Sequence, residues 1–162
     1  MKIGVVSDTH LGESSDYLKR IAEKFFSETE MILHAGDLVS VRVLDSFVGR
    51  EIRAVRGNMD ADYSLPEKLL IEVEGVRIGL IHGWGMPWGQ EEKLIRQFEG
   101  IDCLVYGHTH SACSHVRDGV LFFNPGSPTD RKFASRNTVG LLEIRDGKIS
   151  GRIQEINRKE FM

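Results

Sequence analysis

The sequence predicts an α/β protein built on mixed sheets, and three features of its patterning carry that reading. Short apolar runs alternate with amphipathic stretches in the first third of the chain. Strand-length runs joined by turn signals dominate the remainder. Side chains able to hold a metal fall just past the ends of the apolar runs, not within them.

Lys2 to Val6 is the first strand, and Asp16 to Phe26 the first helix, with Leu18, Ile21, Ala22 and Phe25 at helical spacing. Met31 to His34 is a second strand, Val41 to Val48 a helix, and Glu51 to Val55 a third strand. Strands alternating with helices imply a parallel sheet with crossovers. Lys68 to Glu74 and Val76 to Ile81 flank Gly75 as an antiparallel hairpin. A helix over Glu91 to Phe98 and a buried strand at Cys103 to Tyr106 follow. The rest reads as strands at Ala112 to Val116, Val120 to Phe123, Val139 to Ile144 and Lys148 to Ile156, with Asp118-Gly119 and Asp146-Gly147 as turns. A βαβ half followed by a hairpin-rich half suggests two sheets face to face with helices outside.

The 162 residues contain no repeat, linker or low-complexity stretch, so a single domain over 1–162 is expected. A chain of this size buries roughly 70% of its unfolded surface, enough for a core without staples. The two cysteines, Cys103 and Cys113, make no disulfide framework and suggest a reducing compartment. The N-terminal apolar stretch is too short for a signal peptide, and no segment approaches the ~20 apolar residues of a membrane span. A cytoplasmic protein without a membrane partner is expected. A net charge of −3 without a basic run argues against duplex nucleic acid as a partner. It leaves a small anionic ligand open, because bound metals bring their own charge. Whether the chain forms a homo-oligomer is left open.

Asp8 and His10 follow the first strand, Asp37 the second and Asn58 the third. His82 ends the hairpin, and His108 and His110 follow the Cys103 strand, so the groups recur every 21 to 27 residues. In an α/β sheet such loops gather at one edge, where ligands bind. Glycine adjoins the groups at Gly36-Asp37, Gly57-Asn58, His82-Gly83 and Gly107-His108, as close backbone approach requires. Imidazole, carboxylate and one amide, without thiolate, suit Mn²⁺, Fe²⁺, Co²⁺, Ni²⁺ or Zn²⁺. Seven ligands exceed what one zinc takes and suffice for two ions if a carboxylate bridges, with Asp37 the natural bridge. Each short motif alone is an ordinary loop; their joint order after strands is what carries the reading. His34 reads as a core histidine or a brace behind the ligands, and His115 as exposed.

The order Asp8-Thr-His10, Gly36-Asp37, Gly57-Asn58, His82-Gly83 and Gly107-His108-Thr-His110 resembles the calcineurin-like metallophosphoesterase superfamily. The short chain and Asn124-Pro-Gly-Ser127 are similar to its small prokaryotic phosphodiesterase branch, the YfcE-like proteins. The resemblance runs from Met1 to about Ile156. It implies a four-layer αββα sandwich, with Asp8, His10 and His110 on one divalent ion, Asn58, His82 and His108 on another, and Asp37 bridging. Of the metals that suit these donors, Mn²⁺ is the one expected. Two departures stand out. Met59 occupies the place where the superfamily usually has a histidine that touches substrate, and Trp84 stands where the branch commonly has a second histidine. A thioether carries no transferable proton, and an indole N–H donates only a hydrogen bond.

Two ions roughly 3.5–4 Å apart would share a water and lower its pKa towards neutrality. Four metal charges set against Asp8, Asp37 and a hydroxide leave a surplus that attracts a phosphate ester. The expected reaction is attack of metal-bound hydroxide on a small phosphodiester. The alternatives are a phosphomonoesterase or nucleotidase, or a non-catalytic interaction scaffold of the same fold. Met59, Trp84 and Asn124 are the expected substrate contacts and Asn58 a further one; Asn124 to Ser127 reads as a turn with phosphate-facing backbone, with orientation of neighbouring ligands a second role for Asn124. The loop from Trp84 to Trp88 reads equally as a cleft wall, a pinned loop or a partner surface.

Overall fold

Alternation along the central strands decides the layers. In β1 (Lys2–Val6), Ile3 and Val5 face one apolar cluster while Val6 faces another. β2 (Met31–His34) repeats the pattern, with Met31 and Leu33 on one side and Ile32 on the other. The computed structural model describes residues 1–85 and 90–162. Its elements continue with α1 (Asp16–Phe25), β3 (Glu51–Ala54), β4 (Lys68–Val73), β5 (Val76–Ile81), α2 (Gln90–Ile95) and β6 (Cys103–Val105). β7 (Cys113–Arg117), β8 (Val120–Asn124), β9 (Thr138–Arg145) and β10 (Lys148–Glu155) complete the sheets.

Two five-stranded mixed sheets result, in the orders β10-β9-β1-β2-β3 and β4-β5-β6-β8-β7. β1, β2 and β3 are parallel, as the alternating first third implied. Three apolar clusters correspond to three interfaces between four layers. Ile3, Val5 and Leu33 meet Ile78, Leu80, Val105 and Phe123 between the sheets. Leu18 and Ile21 of α1 pack with Val6 and Ile32 on the outside of the first sheet. Leu94 of α2 packs with Leu104, Tyr106 and Phe122 on the outside of the second. This is the αββα sandwich of the calcineurin-like fold.

Local chemistry fixes the element ends. Ser15 caps α1 by accepting from the Leu18 N–H. Glu74-Gly75, Asp118-Gly119 and Asp146-Gly147 all have positive φ at both residues, the geometry of type I′ hairpin turns. The expected helix at Val41 is instead a 3-10 segment over Val41–Phe47. Ser40 caps it by accepting from the Arg42 N–H, and the Val43 N–H donates to the Ser40 carbonyl three residues back, the tighter 3-10 pattern. α2 stops at Ile95, before the expected Phe98, because Gln97 and Phe98 donate to carbonyls three residues back and tighten the chain. Met86 to Gly89, most of the Trp84–Trp88 loop, lie outside the described residues. No described helix is long and apolar enough to cross a membrane.

The two sheets do not divide where the two halves of the chain meet: β9 and β10 of the hairpin-rich half join the first sheet, with β9 antiparallel to β1. The reason is packing across the sandwich. The Phe123 ring of β8 sits in a gap left by Gly140 of β9 and Gly151 of β10, where added Cβ atoms would lie 2.3 and 2.5 Å from it. Phe123→Ala should therefore destabilise by about 3–5 kcal/mol and Gly140→Ala by about 1–3 kcal/mol. Urea unfolding of the double variant should show less than the sum of the two losses; strict additivity would mean that ring and gap are not coupled.

Candidate metal centre

Five of the seven expected ligands, Asp8, His10, Asp37, His108 and His110, have φ between 48° and 69°, in the left-handed region. Such backbone costs of order 1–3 kcal/mol per residue and persists only where its surroundings over-determine it. Here two loops are zipped together. The N–H groups of Asp8, His10 and Leu11 donate to the carbonyls of Gly36, Asp37 and Leu38. Asp60 holds the second loop to the third, accepting from the Asp37 and Gly57 N–H groups through Oδ2 and from Val39 through Oδ1. Glycine is needed where the loops touch: a Cβ on Gly57 would lie 2.2 Å from Asp37 Oδ1, and one on Gly107 1.9 Å from Ser7 Oγ.

The loops bring all seven side chains together in two groups. In the first, Asp8 Oδ1 faces His10 Nε2 at 3.8 Å and His110 Nε2 at 3.4 Å. In the second, Asn58 Oδ1 lies 3.1 Å from His82 Nε2 and 3.2 Å from His108 Nδ1. Asp37 Oδ2 touches both groups, 3.5 Å from His10 Nε2 and 3.3 Å from His82 Nε2. Donors about 2.1 Å from a shared ion are separated by roughly 3.0–3.4 Å across octahedral or tetrahedral edges. The observed spacings lie at or a little beyond those edges. Asp8, His10 and His110 form one group able to hold an ion, and Asp37, His82 and His108 another.

The remaining atoms of these side chains are used to aim them. His82 Nδ1 donates to the Ala35 carbonyl at 2.7 Å, which directs the Nε2 lone pair inward. His110 Nδ1 bonds Asp130 Oδ2 at 2.5 Å, with the same effect. Asp8 Oδ2 accepts from the Ser7 hydroxyl and the His108 N–H, and Asp37 Oδ1 from the Met59 N–H. That leaves Asp8 Oδ1 as a buried polar atom without a hydrogen-bond partner among the described residues. A buried carboxylate oxygen without a hydrogen-bond partner is costly on its own, and a cation would satisfy it. The donor set and this atom both fit a metal.

Charge is tuned to match. Burial opposes the Asp8 charge, but His10, His110, His82 and Ser7 outweigh it and hold the carboxyl far below the usual range. Burial likewise opposes the Asp37 charge, and His82 overcomes it. His108 is pushed down, first by burial and then by its histidine neighbours. His34 is pushed down to about 3 by burial, so it is neutral. Its Nδ1 accepts from the Gly36 N–H, and its Nε2 bonds Thr9 Oγ1. It braces both loops from behind, as one of its two expected roles.

Of the two roles expected of Asn124, the structure supports the orienting one and not the substrate contact: it is fully buried, donating to the Gly107 carbonyl and Thr109 Oγ1 and accepting from the Gly126 N–H, so it braces the His108–His110 loop. The turn after it is buried too, and the Ser127 hydroxyl donates to the Asp8 carbonyl instead of presenting backbone to a phosphate. Met59 and Trp84 are exposed beside the centre, and Asn58 and Trp84 line the same cleft. His115 is partly exposed but paired with Glu91 and stacked on Phe122. Sequence reading missed Asp60 and Asp130. The only signals were an Asp two residues after Asn58 and another three after Ser127, each ordinary in a loop.

A sequence model of the calcineurin-like phosphoesterase superfamily domain matches residues 1–147. The chain belongs to that superfamily. It is 38% identical over 158 residues to a probable metallophosphoesterase of Methanothermobacter thermautotrophicus, covering 94% of this chain and 91% of that one. Vps29 from Entamoeba histolytica, solved in complex with Zn²⁺, superimposes with a TM-score of 0.70 at 25% identity over 97% of this chain and 100% of that one. An archaeal phosphodiesterase shares the fold, with a TM-score of 0.77 at 24% identity over 95% and 100% of the two chains.

The His110–Asp130 pair gives this superfamily member a pH signature in the metal-free state. Asp8 and Asp130, working against burial, raise His110 to about 9, while His110 and three backbone N–H groups, also against burial, lower Asp130 to about 2. The raised histidine contributes stability that is complete below about pH 6.5 and is lost as pH rises through its folded value. The lowered carboxyl contributes above about pH 4 and loses its share as pH falls. Asp130→Asn should lower the His110 pKa seen by NMR of the imidazole and destabilise the metal-free chain more at pH 6 than at pH 10. An unchanged His110 titration would rule out the pairing.

Proposed function

We propose that Asp8, His10 and His110 hold one divalent ion and Asn58, His82 and His108 a second, with Asp37 bridging, and that the centre hydrolyses small phosphodiesters. The observation that carries this reading is the single oxygen, Asp37 Oδ2, set between His10 and His82 at 3.5 and 3.3 Å. Mn²⁺ is the metal we propose, because imidazole, carboxylate and amide donors without thiolate suit it; Ni²⁺, Fe²⁺, Co²⁺ and Zn²⁺ are accepted by the same donors. Two such ions supply an activated water and neutralise the charge on a phosphate group. The protein's part is to aim the donors and hold two carboxylates charged in a buried site. Diester is preferred to monoester on the likeness of the motif set to the small phosphodiesterase branch.

Metal analysis of the saturated chain should find two ions. Asp37→Ala should weaken both sites and His110→Ala chiefly one. Turnover of an aryl diester with Mn²⁺ should vanish in chelator. A chain that binds two ions yet turns over no phosphate ester would favour the scaffold reading.

Position 59 separates two roles. The Met59 N–H orients Asp37 at 2.8 Å, a task any residue but proline performs, and its side chain is 53% exposed. Without a proton donor there, aryl esters should be cleaved much faster than alkyl esters, since a nitrophenolate leaves without protonation. Met59→His should raise kcat/KM on alkyl diesters by roughly 10²-fold or more while changing aryl substrates little. Parallel plots of log kcat/KM against leaving-group pKa for the two proteins would show that this position has no acid role.

A further inference from the structure

The described aromatic side chains are buried or half-buried with three exceptions: Tyr63, Trp84 and Phe133 are 80%, 71% and 72% exposed. Scattered exposed apolar residues are ordinary. These three are not scattered. Tyr63 and Trp84 line a cleft of about 480 Å³ together with Asn58 and His82, the second group of ligands. Phe133 stands at the opposite group, its ring edge-on to His110 with centroids 6.3 Å apart. Each end also carries a cation against its ring: Arg56 lies 4.4 Å from the Tyr63 centroid, and the Lys132 ammonium 5.0 Å from that of Phe133. Phe133 is held in place, since its N–H donates to Asp130, the same carboxylate that aims His110.

An exposed ring paired with a cation is the composition that receives a base and its phosphate. Here it occurs on both sides of one centre. A monoester has one organic arm and would use one end; a diester has two. From this two-ended arrangement we infer that the substrate is a nucleotidyl diester with a base or aryl ring on each side of the phosphate, a linear dinucleotide being the simplest. Trp84 and Tyr63 receive one arm, and Phe133 the other. The inference rests on the phosphodiesterase reading above. Hydrolysis adds water across one P–O bond: the water oxygen joins phosphorus, the departing oxygen takes a proton, and a nucleoside and a nucleoside monophosphate result. Gripping both arms orients the phosphate, a contribution that does not depend on proton donation.

The test is calorimetric binding to the Mn²⁺-loaded full chain, with two probes. One is the phosphorothioate of thymidylyl-thymidine, with two bases; the other is thymidine 5′-methyl phosphate, with one. The two-base probe should bind more tightly, and Trp84→Ala and Phe133→Ala should each weaken it by roughly fivefold to a hundredfold. The one-base probe should respond to one of these substitutions and not the other. Val116→Ala, which removes an exposed apolar side chain on β7, should leave both affinities alone. Equal affinity for the two probes, or an unchanged dissociation constant in Phe133→Ala, overturns the inference. Turnover of methyl p-nitrophenyl phosphate is measured alongside. Its presence with a flat binding series sinks the two-ended site alone. Its absence with the expected binding pattern sinks the phosphodiesterase reading and upholds the ligand class.

Discussion

Asp8 and Asp37 are buried side by side, with one oxygen of each turned towards the same imidazole nitrogens. Two carboxylates in that position repel each other, and neither is stable as an isolated charge away from water. Everything around them answers that constraint. Their outer oxygens are tied off by Ser7, His108 and Met59, and the histidines are turned by Ala35 and Asp130 so that lone pairs face inward. The loops that carry them are locked to one another through backbone hydrogen bonds and Asp60. The sandwich then fixes the loops, because β1, β2 and β3 are parallel neighbours and deliver Asp8, Asp37 and Asn58 to one edge of one sheet.

That delivery is why so much was legible in the sequence. A candidate ligand placed just past a strand end needs no long-range information to be suspected, and the seven side chains singled out in that way converge in the structure. Two of the I′ turns were equally legible, because Asp-Gly readily adopts positive φ in a two-residue hairpin loop; Glu74, expected in the strand, instead forms the third turn with Gly75. Asp60 and Asp130 were not legible, since they act on backbone N–H groups or on another side chain and look like any loop carboxylate. Asn124 was legible only as a choice between two roles, since the sequence does not show whether the Pro-Gly turn beside it faces substrate or, as here, is buried against the His108–His110 loop. The sheet that β9 and β10 join was invisible too, because a hairpin signal is local, and the fit of Phe123 between Gly140 and Gly151 is made only in three dimensions.

The left-handed ligands bear on the choice between enzyme and scaffold. A fold kept only for its outer surface has no need of five strained residues gathered at one centre, around a buried carboxylate oxygen without a hydrogen-bond partner among the described residues. Relaxing Asp8 or His110 to ordinary backbone would lower the energy of the loops and lose the convergence. Strain concentrated at one point, and held there by hydrogen bonds from three separate loops, is characteristic of a site whose geometry is used. It supports metal binding directly and hydrolysis through it. Met59 is informative against that background. The seven candidate donors converge on one centre, while the exposed side chain beside it, Met59, is a thioether with no transferable proton. The candidate donors are thus held by the backbone and buried carboxylates, whereas the Met59 side chain is exposed and can be changed without disturbing the fold.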